Sequence, residues 1–142
     1  MAEYQCTREE VQQFLNRVKA LIPQKDKVTI NISPWKGHKV NKTLTYMTET
    51  GIGLEDILNV LYKLQVCHYS YTADDRNIHF KGQQVWIFGL RKNIVDKDED
   101  LYIKLKILTT EEDILLIMSF HPENPGCDEQ RLQFPYKNTK EI

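Results

Sequence analysis

Apolar residues recur along this chain in two rhythms, and the change of rhythm divides it. Val11, Phe14, Leu15, Val18, Leu21 and Ile22 are spaced three and four apart, which puts them on one face of a helix. Thr7 with Glu10 offers a capping box and Pro23 a stop, so a helix is predicted over 8–22. Ile57, Leu58, Leu61 and Leu64 share a face in the same way. Glu55 and Asp56 sit in the first turn there, where the helix dipole favours acid, and a second helix is predicted over 53–64. Between them, "KVTINI" (27–32) alternates and predicts a short strand. "NKTLTYMTETG" carries Leu44 and Met47 at helical spacing and Gly51 as a C-cap, predicting a short helix.

Beyond residue 83 the period is two. Strands are predicted over 84–90, 102–108 and 114–120, joined by the charged loop "RKNIVDKDED" and by "TTEED". The polar and aromatic tract "HYSYTADDRNIHFKGQ" reads as a loop, with Asp74 and Asp75 a solvated turn. The tail from Pro122 has proline punctuation and little periodicity. Helices first and an antiparallel meander afterwards imply a single α+β domain, with helices on one face of one sheet.

Alternation assigns faces as well as elements. Leu101, Ile103, Leu105 and Ile107 point toward the helices, which leaves Tyr102, Lys104 and Lys106 on the opposite face. On the following strand Leu115, Ile117 and Ser119 share a face that His121 continues. A polar face bearing Trp86, Tyr102, Lys104 and His121 is therefore expected, with Lys106 as an ordinary solubilising lysine on the outside of the sheet. Tyr, Lys and His suit one reaction that needs no metal. RNA cleavage requires a base for the 2′-hydroxyl, a cation for the phosphorane and an acid for the leaving 5′-oxygen. Histidine titrates near pH ~6.5 and can serve as acid or base. Trp86 and Tyr69 or Tyr71 are candidates to stack unpaired bases.

Composition narrows the picture without redirecting it. The 142 residues carry a formal net charge of −1 and 27% charged residues, so no chain-wide basic field marks a nucleic-acid partner. Cys6, Cys67 and Cys127 are odd in number and scattered, as in a reduced intracellular protein. There is no apolar run of membrane-spanning length, and the polar start "MAEYQCTREE" is unlike a signal peptide; a soluble cytoplasmic protein is the expectation. His79, His121 and the adjacent pair Cys67–His68 do not have zinc-site spacing. No phosphate-binding glycine loop or nucleophile elbow occurs. No metal, cofactor or membrane partner is expected.

Six segments in order, "VNKTLTYMTETGIGLEDILNVLYKL", "HYSYTADD", "KGQQVWIFG", "LYIKLKI", "ILLIMSFHPENP" and "LQFPYK", resemble the MqsR family of toxin–antitoxin messenger-RNA interferases, especially its longer members. The match covers roughly Thr29 to Lys137, and the combination of "W-I-F-G", "Y-I-K-L-K" and "S-F-H-P" is its most specific part. The resemblance implies a RelE-like fold with a curved antiparallel sheet. It also implies metal-independent endoribonuclease activity restrained by a cognate antitoxin. The family's strand tyrosine falls on Tyr102, and the lysine after its "S-F" falls on His121. Its loop lysine has no counterpart near Tyr71; Lys81 in the same loop takes that place. The expected catalytic set is thus Tyr102, His121 and Lys104, with Lys81, Trp86, Tyr71 and Tyr69 on the RNA. A non-catalytic regulatory or partner-binding protein of phage or mobile-element origin, on the same scaffold, is the alternative. The weak net charge favours it, whereas the Tyr/Lys/His set favours the nuclease.

Overall fold

The computed structural model describes residues 3–32, 41–75, 83–109, 111–123 and 132–137. Three helices, α1 (Arg8–Leu21), α2 (Lys42–Thr50) and α3 (Leu54–Tyr62), pack on one face of a six-stranded sheet. The strands are β1 (Glu3–Tyr4), β2 (Val28–Ile30), β3 (Tyr69–Asp74), β4 (Gln84–Ile94), β5 (Lys97–Thr109) and β6 (Asp113–Pro122), in the order β1-β3-β4-β5-β6-β2. The α+β class follows the sequence reading. No described helix is long and apolar enough to cross a membrane.

The helix signals act as their chemistry requires. The Thr7 hydroxyl accepts from the Glu10 amide at 3.2 Å, while the Glu10 carboxylate accepts from the Thr7 amide at 2.9 Å, closing the capping box. The Asn41 side chain accepts from the Leu44 amide at 2.9 Å and starts α2. Gly51 ends α2 at φ 78°, a left-handed conformation that glycine adopts without steric penalty. Val11, Phe14, Leu15 and Val18 of α1 meet Ile57, Leu58 and Leu61 of α3 over Phe88, Ile103, Leu105, Ile117 and Phe120 of the sheet. Ile103 and Leu105 are fully buried there, as their alternation predicts. On α2, Thr43 accepts from the Phe120 amide at 2.9 Å and Tyr46 packs on the Phe120 ring, which ties α2 to β6.

Three features differ from the expectation. Tyr69–Asp74 is a strand rather than a loop, pairing with both β1 and β4. Its polar letters conceal a buried hydroxyl network, in which Thr72 and the Tyr69 hydroxyl bond at 2.6 Å. The sheet is also mixed: β2 runs parallel to β6, Val28 pairing with Leu115, so the meander is closed at one edge by a strand from the first part of the chain. Finally, the "RKNIVDKDED" loop is mostly strand. β4 and β5 continue to a two-residue turn at Val95 and Asp96, with φ of 50° and 63°.

That turn conformation suits Asn and Gly and strains a β-branched residue. Val95 is 62% exposed and has little burial to lose. Val95→Asn is expected to stabilise the protein by about 1 kcal/mol, the left-handed penalty of an ordinary side chain. A urea titration measures it; an unchanged or lowered midpoint would count against the strain.

Candidate functional site

The face of the sheet opposite the helices carries the candidate site, and two bulges set its membership. Along β6, Ser119 pairs with Lys104 but Ile117 pairs with Leu105, so Met118 is an extra residue. A bulge of this kind shifts the alternation by one. Leu115, Ile117 and Phe120 all enter the helix-side core, whereas Ser119 and His121 emerge on the far side. The expectation that Ser119 and His121 share a face with Leu115 and Ile117 is therefore corrected. The bulge is what delivers His121 to Tyr102. The apolar spacing of β6, two residues and then three, is the signal that could have shown it.

Tyr102 and His121 are direct cross-strand partners, with rings stacked at 5.3 Å between centroids and 17° between planes. The His121 Nδ1 lies 2.9 Å from the Pro122 carbonyl oxygen. A carbonyl only accepts, so Nδ1 carries the proton and Nε2 is the nitrogen whose protonation can change. Lys104, paired with Ser119, stands one row along on the same face and is half-buried. Tyr71 lies on this face too. It packs with Tyr102, Met118 and Leu132 against Ala73, Val85 and Ile87. The structure thus brings Tyr102, His121, Lys104 and Tyr71 together, on a face more apolar than expected. His121 itself is 7% exposed.

Other expected members are elsewhere. Trp86 pairs with Leu105, which places it on the helix side, stacked on Phe14 at 4.3 Å and 8°. It cannot share a surface with Tyr102 and His121. Tyr69 is separated from Tyr71 by the second bulge, at Ser70, and is fully buried. Its hydroxyl accepts from the Cys6 amide at 3.0 Å, and its ring meets Trp86, Phe88 and Tyr136. No base can stack on it. Lys81 lies outside the described residues.

Lys106 is the largest departure. It is 1% exposed and paired with Asp75, whose side chain is 9% exposed. The solubilising lysine does not survive, and of the expected solvated pair only Asp74, at the end of β3, is exposed. In "LYIKLKI" nothing distinguishes Lys104 from Lys106; the partner arrives from the end of β3. A charge this deep persists only with its counter-charge. Among the described residues no group of three or more His, Cys, Asp or Glu could hold a metal ion. Neither Cys6 nor Cys67 is in a disulfide.

On the same face Gly89 faces Tyr102 across the β4–β5 pair. A Cβ there would meet Leu132 at 2.7 Å, the Leu101 carbonyl oxygen at 3.0 Å and Phe134 at 3.1 Å. A side chain at this position would have to displace the tip of Leu132 and crowd the Leu101 carbonyl, so glycine suits the close approach of the C-terminal segment 132–137. That segment is held by the Ser70 hydroxyl, which donates to the Gln133 carbonyl at 2.6 Å, and by the Tyr136 hydroxyl, which donates to the Cys6 carbonyl at 2.5 Å. Neither the sequence nor the structure matches a protein-family model, a curated protein or a solved structure.

Two outcomes follow from these contacts. Lys106→Ala strands a buried carboxylate and is expected to cost about 3–5 kcal/mol, whereas Lys106→Met combined with Asp75→Leu should recover most of it. Denaturant unfolding of the three proteins decides: equal losses in the single and double variants would show a pair that is not buried. Burial also pushes the Tyr69 hydroxyl from its ordinary 10.0 to about 12. The folded state resists ionisation that the unfolded chain undergoes, so stability is intact below pH 10.0 and falls as pH rises toward about 12. Tyr46, raised by burial as well, adds to the same loss. Tyr69→Phe should shallow that alkaline decline; an identical slope in thermal melts across this range would contradict the assignment.

Proposed function

We propose that this protein is a metal-independent endoribonuclease of the RelE-like, MqsR-like kind, acting on messenger RNA as the toxin of a type II toxin–antitoxin pair. The observation that carries the proposal is the stacked Tyr102–His121 pair, assembled by the β6 bulge beside Lys104. In the reaction the 2′-oxygen attacks phosphorus, the 2′-proton passes to a base, and the bond to the 5′-oxygen breaks as that oxygen takes up a proton. The products are a 2′,3′-cyclic phosphate and a 5′-hydroxyl. His121 supplies the acid through Nε2, or in the reverse role the base. The Tyr102 hydroxyl donates to a phosphate oxygen, and the Lys104 ammonium offsets the charge of the phosphorane. Tyr71 offers a ring edge for a neighbouring base. The cognate antitoxin is a protein partner that blocks this face.

A second reading is a non-catalytic, partner-binding protein on the same scaffold. The low exposure of His121 and the apolar cluster around Tyr102 favour it.

Purified wild type should cut a long unstructured RNA in the presence of chelator, leaving cyclic-phosphate ends. His121→Ala and Tyr102→Phe should each slow cleavage by about 10²–10⁴-fold, the loss typical of a positioned proton-transfer group, while both variants remain folded at the assay temperature by thermal melting. Lys104→Ala should slow it less. If both variants cut as fast as wild type, the site is misassigned. If wild type cuts no RNA, the binding-protein reading takes its place.

A further inference from the structure

Tyr102 has two cross-strand partners on the far face, Gly89 on β4 and His121 on β6. Side chains directly opposite in such pairs start about 5 Å apart, so an aromatic ring can reach over either neighbour. A strand glycine leaves space above it, and an aromatic residue opposite commonly covers that space. Here the Tyr102 ring takes the other side and stacks on His121, with 5.3 Å between centroids.

The space over Gly89 is already filled. A Leu132 methyl lies 2.7 Å from the position a Cβ would take there, and the tip of the Phe134 ring lies 3.1 Å from it. Both distances are inside ordinary carbon–carbon contact, about 3.5–4.0 Å, so these side chains sit where the Tyr102 ring would otherwise lie. Leu132 also packs, as Tyr102 does, against Ala73, Val85 and Ile87. The seat of the segment does not depend on Tyr102. Ser70 holds the Gln133 carbonyl, and Tyr136 is bonded to the Cys6 carbonyl. The Tyr136 ring stacks on Tyr69 at 6.1 Å and 17°, with the Arg8 guanidinium 5.3 Å from its centroid.

We propose that Leu132 and Phe134 are positioning residues: by occupying the space over Gly89 they deny it to Tyr102 and hold its ring against His121. The proposal rests on the nuclease reading for its effect on rate, and on the stacked geometry alone for its effect on Tyr102.

The test uses NMR of the full chain together with RNA cleavage. A stacked aromatic ring moves the carbon-bound imidazole protons upfield. The sequence has four histidines, and the His121 signals are identified by their loss in His121→Gln. Tyr102→Leu supplies their unstacked position. Leu132→Ala/Phe134→Ala should bring the His121 protons most of the way to that position. It should also lower kcat by about 10- to 10²-fold with KM little changed, the mark of a misplaced group rather than of lost substrate binding. Leu132→Met/Phe134→Leu, which refills the space, should restore the shift and the rate. Thermal melting checks that each chain is folded, and Leu132→Ala alone makes the comparison where the double alanine chain is not. The proposal is overturned if a folded alanine variant keeps the wild-type shift, if the refilled variant does not regain it, or if the shift moves while kcat stays. If wild type cuts no RNA but the shifts move as expected, the positioning of Tyr102 stands and the nuclease reading falls.

Discussion

One surplus residue in β6 decides which side chains meet on this sheet. A strand presents alternate residues to opposite faces, so a single insertion exchanges the two faces for everything beyond it. At Met118 the exchange keeps Leu115, Ile117 and Phe120 in one core while turning Ser119 and His121 outward. The core gains a continuous apolar layer under α1, α2 and α3. The far face gains a histidine opposite Tyr102. Without the bulge, His121 would enter the helix-side core, where an imidazole has few partners, and Phe120 would leave it. The same device at Ser70 separates Tyr69 from Tyr71: one tyrosine closes the core, and the other joins the Tyr102 face.

The two faces are unlike in another respect. The helix side is a broad hydrophobic core. The far side is a smaller apolar cluster with a buried Lys106–Asp75 pair among it. A buried ion pair contributes little net stability, because desolvation offsets most of the attraction, but it penalises any register in which the charges part. Here it ties β5 to the end of β3 across the intervening strand. Two bulges loosen what alternation alone would specify, and this pair restores some of that specificity.

How much of this could be read from letters alone depended on whether the signal was local. The helices, the Thr7–Glu10 capping box, the Asn41–Gly51 helix and the three long strands are local, and their periodicities and caps located them. Tyr102 and Lys104 on one face, with Ile103 and Leu105 on the other, is also local alternation. What failed needed a partner distant in sequence. Thr72 is polar in the sequence but buried through the Tyr69 hydroxyl, which concealed β3. Lys106 resembles Lys104 until Asp75 is known to reach it. Trp86 belongs with Leu105 rather than Tyr102, a matter of inter-strand register that its own neighbours in sequence do not specify. His121 arrived on its expected side for a reason not anticipated, since the bulge and the face assignment of Leu115 and Ile117 were both needed.

The parallel pairing of β2 with β6 has a consequence for how the chain acquires its structure. Val28 must find Leu115, and Thr43 must find the Phe120 amide, before the edge of the sheet and the seat of α2 exist. The β4–β5 hairpin can close on itself, because its turn is two residues long. The edge cannot, since it joins residues far apart in sequence, and such contacts bring their stabilisation only after a large loop has closed. During synthesis from the N-terminus, α1, β2 and α2 therefore emerge with apolar faces that have no sheet to cover. They wait for the last strand, so the C-terminal half completes the N-terminal half rather than adding to it.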